Sequence, residues 1–383
     1  MKRLTILGST GSIGVQTLMV AEARGYSIAA LTAGGNDQLL EQQILKFRPV
    51  MAALRDEVRG RTLAERLSGC GTRILWGEAG VLECAAYAEA DMVVNAIVGI
   101  AGLQPTLAAL GAGHPLALAN KESLVCAGAH VMILAKHMGV PILPVDSEHS
   151  AIFQCLSGSM PEAVEELILT ASGGPFFGMT AKQMTNKTAE EALQHPSWHM
   201  GKKITVDSAT MMNKGFEIME AYWLFSVPAE RIQVVVHRES IVHSLVAFRD
   251  GAVLAQLSPP DMRLPIQCAL DWPERCPSKL PRLDLAKLRT LTFFEPDVAA
   301  FPAMSLCRGA LAKGGNAGAA LNGANEEAVR LFLENRILFG EIVPLAQEGA
   351  AKVPYVETPL PEDIFETDRA ARARVYELYR QRR

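Results

Sequence analysis

Residues 3–14 read Arg-Leu-Thr-Ile-Leu-Gly-Ser-Thr-Gly-Ser-Ile-Gly, the most informative run in the chain for its architecture. Leu4–Leu7 is a short apolar run that meets glycine at once, and the residues from Ser12 to Arg24 follow with helical spacing. A strand that turns through Gly8, Gly11 and Gly14 into a helix suits a dinucleotide. Glycines allow the tight turn, and unpaired N–H groups at the helix start face the diphosphate. The order here is Gly-x-x-Gly-x-x-Gly, and a glycine loop alone is a weak signal. Its place directly after an N-terminal strand weighs for the dinucleotide, against a plain strand–helix turn packed on a sheet.

Beyond this run, strand-like and helical stretches alternate. Strands are expected at Ser27–Thr32, Val50–Leu54, Arg73–Trp76, Met92–Val98, Pro115–Ala119 and Pro141–Val145. Helices are expected between them, including Gln38–Phe47 and Glu122–His137. This alternation predicts an α/β fold with a doubly wound, Rossmann-like domain over residues 1–146. Residues 147–271 change grammar and predict an α+β domain. Its helices are Ser150–Leu156 and Ala209–Phe225; its strands are Glu166–Thr170, Ile204–Val206, Ile232–His237 and Ile241–Phe248. Asp250-Gly251, between Val242–Phe248 and Ala252–Leu257, signals a hairpin. Residues 272–302 are Pro-rich and read as an extended linker. Residues 303–383 have helical periodicity and predict a small C-terminal helical bundle.

Composition sets limits. The 383 residues are 49% hydrophobic and 20% charged, as in a globular protein with a large core. The formal charge of −4 gives no electrostatic reason to expect nucleic acid or an anionic membrane as partner. The seven cysteines lack a Cys-x-x-Cys pair, which fits a reducing cytoplasm. The apolar run at the N-terminus ends at Gly8, so no secretory signal is expected. The apolar region Met92–Ala119 is broken by glycines and prolines and does not read as a membrane span.

The second strand bears on the cofactor. An NAD site usually ends that strand with a carboxylate for the ribose 2′-hydroxyl. Here the strand runs into Gly34-Gly35-Asn36, and no carboxylate occurs until Asp37. That leans to NADP, although no Arg or Lys stands in its place.

Two segments carry candidate chemistry. Asp146-Ser147-Glu148 follows a predicted strand; if the backbone stays extended, both carboxylates point to one side. A divalent cation would relieve their repulsion, and oxygen ligands without Cys favour Mg²⁺ or Mn²⁺. A helix N-cap with Glu in the first turn explains the same residues blandly. In the second segment, Lys203–Glu217, a strand, a cap and a helix are expected. Asn213, Lys214 and Glu217 share a helix face at roughly 5–6 Å between Cβ atoms. Ser208, Asn213 and Lys214 suit a phosphate, and Glu217 a metal. An exposed Lys214–Glu217 ion pair is the bland alternative. Ser172-Gly173-Gly174 suits an anion or is simply a flexible turn. His195-Pro-Ser-Trp198-His-Met-Gly201 suggests a loop that closes on ligand, or a Trp tucked into a junction. The run Ala319–Ala328 reads as a packed helix without chemistry.

Together these strings resemble the 1-deoxy-D-xylulose-5-phosphate reductoisomerase family. They are Leu4–Gly14, Leu118-Ala-Asn-Lys-Glu-Ser-Leu124, Leu143-Pro-Val-Asp-Ser-Glu-His149, Ser172-Gly-Gly-Pro-Phe176, the His195–Gly201 loop and Val206-Asp-Ser-Ala-Thr-Met-Met-Asn-Lys-Gly215. The resemblance implies a homodimer that uses NADPH and a divalent metal, Mg²⁺ or Mn²⁺. It would turn the sugar phosphate 1-deoxy-D-xylulose 5-phosphate into 2-C-methyl-D-erythritol 4-phosphate, an isoprenoid precursor.

The resemblance also implies roles. Asp146, Glu148 and Glu217 would bind the metal and, with Lys121, form the catalytic set. Lys121, Ser147 and Glu148 would contact the reacting end of the substrate. Ser172, His195, Ser208, Asn213 and Lys214 would hold its phosphate, with Trp198 in the lid. Thr10, Gly11, Ser12, Ile13, Gly34, Gly35, Asn36, Asn120, Glu122 and Gly201 would line the NADPH site. The chain departs from members that carry Lys at Gly35, beside the 2′-phosphate. Two other readings are an NADP-dependent sugar-phosphate dehydrogenase without skeletal rearrangement and a non-catalytic NADP sensor.

Overall fold

The computed structural model describes residues 2–198 and 200–382. The chain falls into two compact units. One comprises residues 1–123, 129–150 and 261–280; the other comprises 124–128, 151–260 and 281–383.

The first unit is built on a parallel sheet. Its strands are β1 (Arg3–Leu7), β2 (Ser27–Ala33), β3 (Met51–Leu54), β4 (Arg73–Trp76), β5 (Met92–Asn95), β6 (Leu116–Leu118) and β7 (Ile142–Pro144), in the order β4-β3-β2-β1-β5-β6-β7. The expected doubly wound fold is therefore present. Leu4, Ile6, Leu31, Leu54, Val93 and Leu116 are fully buried, as strands covered on both faces require. The crossovers are α1 (Ser12–Arg24), α2 (Asp37–Phe47), α3 (Glu57–Arg66), α4 (Gly77–Ala85), α5 (Leu103–Gly111) and α6 (Lys121–Met138), and α7 (Ser147–Cys155) follows β7. The strand order reverses beside β1, so the carboxyl ends of β1 and β5 flank the crevice where such sheets bind ligands.

In the second unit β8 (Val164–Ala171) pairs in parallel with β9 (Ile232–Val236) and antiparallel with β10 (Val242–Phe248). The Asp250-Gly251 hairpin joins β10 to β11 (Val253–Leu257), as expected. Gly251 takes φ +88°, which the turn needs and other residues resist. Helices α8 (Ala181–Met184), α9 (Ala189–Ala192), α10 (Lys202–Ala209) and α11 (Met212–Phe225) precede β9, and α12 (Arg263–Asp271) belongs to the first unit. After α13 (Leu285–Leu288) come α14 (Ala303–Lys313), α15 (Ala317–Leu333), α16 (Ile342–Ala351) and α17 (Pro361–Gln381). α15 is buried nearly all round, and its Gly and Ala residues admit close neighbours: a Cβ on Gly323 would lie 2.6 Å from the Asp368 carbonyl oxygen.

Three local expectations are corrected. Ile204–Val206 is not a strand but the middle of α10. β-Branched residues favour strands only weakly, and here Val206 is buried on a helix that Thr205 helps start through its hydroxyl on the Gly201 carbonyl at 2.9 Å. The backbone is not extended through Glu148: α7 starts at Ser147, and Ser150 N–H donates to the Asp146 carbonyl at 2.8 Å. The helix-start signal of Asp-Ser-Glu overrides the strand reading. The Pro-rich passage is not extended throughout, because it contains α13; near its end Phe294 is extended and exchanges both backbone hydrogen bonds with Val236, at 2.8 and 2.9 Å.

All seven cysteines are free. Burial pushes the Cys84 thiol up to about 12 and the Cys307 thiol upward as well, so neither forms a thiolate readily. Among the described residues no helix is long and apolar enough to cross a membrane.

Candidate functional site

In the first unit the glycine loop is shaped by contacts that leave no room for side chains. Gly8 takes φ +82°, and a Cβ there would lie 2.8 Å from the Ala96 carbonyl oxygen. A Cβ on Gly14 would lie 2.3 Å from the Gly8 carbonyl oxygen. Gly8 and Ser9 N–H groups donate to the Thr32 carbonyl at 3.0 and 2.8 Å, and Ser9 exchanges hydrogen bonds with Gln43 at 2.6 and 2.9 Å. The loop is thus fixed on β2 and α2. No side chain caps the first turn of α1, where Gly11 and Ser12 are exposed and Thr10 and Ile13 half-buried. The free amides and the helix dipole suit an anion, so the loop fits a diphosphate.

At the end of β2, Gly34 and Asn36 are exposed and Gly35 is half-buried. Asn36 caps α2 by accepting from Leu39 N–H at 3.1 Å. The Gly35 carbonyl accepts from Arg59 Nη1 at 2.6 Å, a contact with no signal in the local sequence.

After β6, Asn120 is a latch. Its Oδ1 accepts from Ser123 N–H at 3.0 Å, and its Nδ2 donates to the carbonyls of Ile97 and Gly99 at 2.7 and 2.9 Å and to Glu122 at 3.1 Å. Gly102 must stay small here, because a Cβ would meet the Asn120 side chain at 2.5 Å. The neighbouring Lys121 is 6% exposed and reaches Asp146 Oδ2 at 2.7 Å. Ser147 Oγ donates to Glu148 Oε2 at 2.5 Å. Two carboxylates and one ammonium therefore gather at the carboxyl ends of β6 and β7. An oxygen-only donor set without Cys fits a hard divalent ion.

In the second unit Ser172 ends β8 in a turn that is not flexible. Gly173 and Gly174 take φ +75° and +66°, and Arg238 Nη1 clamps the turn by donating to the Ser172 and Gly174 carbonyls at 2.5 and 2.8 Å. Burial lowers the Arg238 pKa from the usual guanidinium value. His195 Nδ1 accepts from Ser197 and Trp198 N–H groups at 3.2 and 2.9 Å, which places the neutral-ring proton on Nε2. His195 Nε2 then donates to Ser172 Oγ at 2.9 Å, and Gly174 N–H donates to the same oxygen at 3.2 Å. With two bonds accepted, the Ser172 hydroxyl proton is left to serve an anion. Trp198 is half-buried, its ring centroid 6.2 Å from that of His243. His199, in the same loop, lies outside the described residues; Gly201 is exposed just before α10.

Ser208 lies in the last turn of α10, and Met211, at φ +61°, makes the elbow into α11. Gly174 packs here, for a Cβ on it would lie 2.9 Å from the Ser208 carbonyl oxygen. On α11 Asn213 Nδ2 donates to Glu217 Oε1 at 2.5 Å, and Lys214 Nζ bonds Glu217 Oε2 and, at 2.5 Å, the Thr170 carbonyl. The Lys214–Glu217 pair exists but is not the exposed pair of the bland reading: the two residues are 4% and 1% exposed. A buried pair costs desolvation that a solvated one does not, which removes the cheap explanation.

Two further groups escaped the sequence reading. Arg238 gave no local signal, since its carbonyl partners lie more than sixty positions away. Asn325 donates to the buried Asp207 at 2.8 Å, and Lys203 pairs with Asp207 at 3.0 Å, holding α10 in place. The signal was available: an Asn on the apolar, small-residue face of α15 needs a buried partner.

Comparison with known proteins places this geometry. A family model described as 1-deoxy-D-xylulose 5-phosphate reductoisomerase matches residues 4–128, and two models of that enzyme's C-terminal domains match 142–225 and 257–374. The 1-deoxy-D-xylulose 5-phosphate reductoisomerase of Ruminiclostridium cellulolyticum is 48% identical over 377 residues, covering 98% of this chain and 99% of that protein. The structure of the Zymomonas mobilis reductoisomerase in complex with NADPH matches with a TM-score of 0.93 at 40% identity, covering 99% of both chains. A DOX-P reductoisomerase structure with NADPH, fosmidomycin and magnesium matches with a TM-score of 0.91 at 41% identity, again over 99% of both chains.

Proposed function

The chain belongs to the 1-deoxy-D-xylulose 5-phosphate reductoisomerase family, and from that premise we infer that it rearranges and reduces 1-deoxy-D-xylulose 5-phosphate to 2-C-methyl-D-erythritol 4-phosphate. It uses NADPH and a divalent metal. A dehydrogenase without rearrangement and a non-catalytic sensor are not favoured. Within the molecule, the observation that carries the reading is the Lys121–Asp146 pair beside Glu148 at the strand ends. An acidic site with its own nearly buried cation is built for a charged reaction, not for a passive NADP pocket.

In this reading residues 1–146 form the NADPH-binding domain and also supply Lys121 and Asp146, 147–271 form the catalytic and connective domain with the lid loop, 272–302 link, and 303–383 form a supporting helical domain. When bound, the metal supplies Lewis-acid stabilisation of substrate oxygens and NADPH supplies the hydride. Asp146, Glu148 and Glu217 hold the metal. Lys121 lies where its ammonium can donate to a substrate oxygen that gains negative charge as a carbon–carbon bond breaks. Ser147 and Glu148 orient the same end. Ser172, His195, Ser208, Asn213 and Lys214 bind the phosphate, so that remote binding energy fixes the reacting carbons. Thr10, Gly11, Ser12, Ile13, Gly34, Gly35, Asn36, Asn120, Glu122 and Gly201 line the NADPH site. The Trp198 loop covers the site and keeps water from the aldehyde that must be reduced.

The chain acts in the cytoplasm, in keeping with seven free cysteines. It forms a homodimer, for which the edge strand β11, with Val253 and Leu254 about half exposed, offers an apolar surface; light scattering should give twice 41.3 kDa. The reaction itself is tested by product NMR. NADPH oxidation with the deoxyxylulose phosphate should require Mg²⁺ or Mn²⁺ and give a branched carbon skeleton. A reduced straight-chain product would exclude the rearrangement.

A further inference from the structure

We propose that Arg59, in the first turn of α3, recognises the 2′-phosphate of NADPH and sets this chain's preference for NADPH over NADH. The proposal rests on the reading of the β1–α1 loop as the NADPH site.

In a doubly wound fold the adenosine ribose is read at the carboxyl end of the second strand. That end carries Ala33-Gly34-Gly35-Asn36 here, with no cation of its own. The first carboxylate, Asp37, is already engaged. Arg66 Nη2 donates to it at 2.9 Å and holds its carboxyl below the usual range, so its charge is offset.

The missing cation comes from the neighbouring turn. β3 pairs in parallel with β2, and the pairing continues past both strands: Arg55 and Asp56 N–H groups donate to the Ala33 and Gly34 carbonyls at 2.9 and 3.0 Å. Asp56 then caps α3 by accepting from Arg59 N–H at 3.0 Å, which fixes where Arg59 leaves the helix. Its Nη1 donates to the Gly35 carbonyl at 2.6 Å. The side chain is 59% exposed; its Nε forms an exposed ion pair with the Asp56 carboxylate at 3.7 Å, too long for a hydrogen bond, so the pair leaves its N–H donors available. The Gly35 carbonyl takes one of five guanidinium N–H donors, which leaves a fork for phosphate oxygens.

Gly35 completes the arrangement. A Cβ there would stand 3.7 Å from Arg59 Nη1, so a long side chain would compete for the guanidinium's place. Cation and space are complementary: what the second strand lacks, α3 supplies. A ribose 2′-hydroxyl gains little from a guanidinium, whereas a phosphate dianion gains a charge-assisted pair.

The test is binding, without substrate or metal. NADPH, NADH and 2′,5′-ADP are titrated calorimetrically against the full chain and Arg59→Met, with circular dichroism to confirm the fold of this exposed-site variant. Wild type should bind NADPH more tightly than NADH. Arg59→Met should weaken NADPH and 2′,5′-ADP by about tenfold to a hundredfold and leave NADH nearly unchanged. Gly35→Lys in the Arg59→Met background should restore part of the NADPH affinity by returning the charge. An Arg59→Met protein with the wild-type NADPH-to-NADH ratio overturns the assignment while the NADPH site stands. A wild type with no affinity for NADPH overturns both.

Discussion

Asp146→Asn is expected to lower kcat by about a thousandfold or more at saturating magnesium, because in the proposed function several kcal/mol of charge stabilisation depend on an ion that Asp146 would help to hold. The fold should survive. Asp146 lies at the end of β7, where its side chain pairs with Lys121 at 2.7 Å, and the Asn carbonyl still accepts from that ammonium. The loss therefore reports on charge and not on packing. Steady-state turnover with the deoxyxylulose phosphate, beside a thermal melt, reads it. A variant that melts like wild type and turns over within about tenfold of it would remove Asp146 from the metal set.

Gly14→Ala is expected to abolish useful NADPH binding by a different route. The added methyl would stand 2.3 Å from the Gly8 carbonyl oxygen and 2.5 Å from Ser9 Cα, both backbone atoms. Gly8 and Ser9 cannot yield freely, since both donate to the Thr32 carbonyl and Ser9 is bonded to Gln43. Overpacking of this kind costs about 1–3 kcal/mol in stability. Any movement that relieves it also displaces the amides proposed to face the diphosphate, so NADPH affinity should fall by about a hundredfold, the worth of two such hydrogen bonds. Calorimetric titration with NADPH checks this, and unchanged affinity would show that the loop is not the diphosphate cradle.

Much of this architecture is legible in the sequence because it is dictated locally. The helix Ser12–Arg24 and the strand Arg73–Trp76 have the expected limits, set by glycine turns and by changes of period. The 204–206 segment misled because three β-branched or apolar residues in a row imitate a strand, while the contacts that make it helical, Asp207 with Asn325 among them, come from far along the chain. Asp146-Ser147-Glu148 misled differently: two rules applied, and the helix-start rule prevailed over strand continuation. Arg59 and Arg238 were invisible for one reason. Each acts on a carbonyl presented by another element, and no spacing within its own segment announces that. Candidate residue types could be read, therefore, but not the groups that hold them still.

In the proposed function Asp146, Glu148 and Glu217 would serve one divalent ion. Mn²⁺ titration followed by electron paramagnetic resonance tests it most directly, on wild type and on Glu217→Gln. One tight ion per wild-type chain is expected. Glu217→Gln should weaken binding by at least about a hundredfold, since loss of groups that only support a ligand already costs about ten- to a hundredfold. Glu217→Gln protein that takes up Mn²⁺ with wild-type affinity would contradict it.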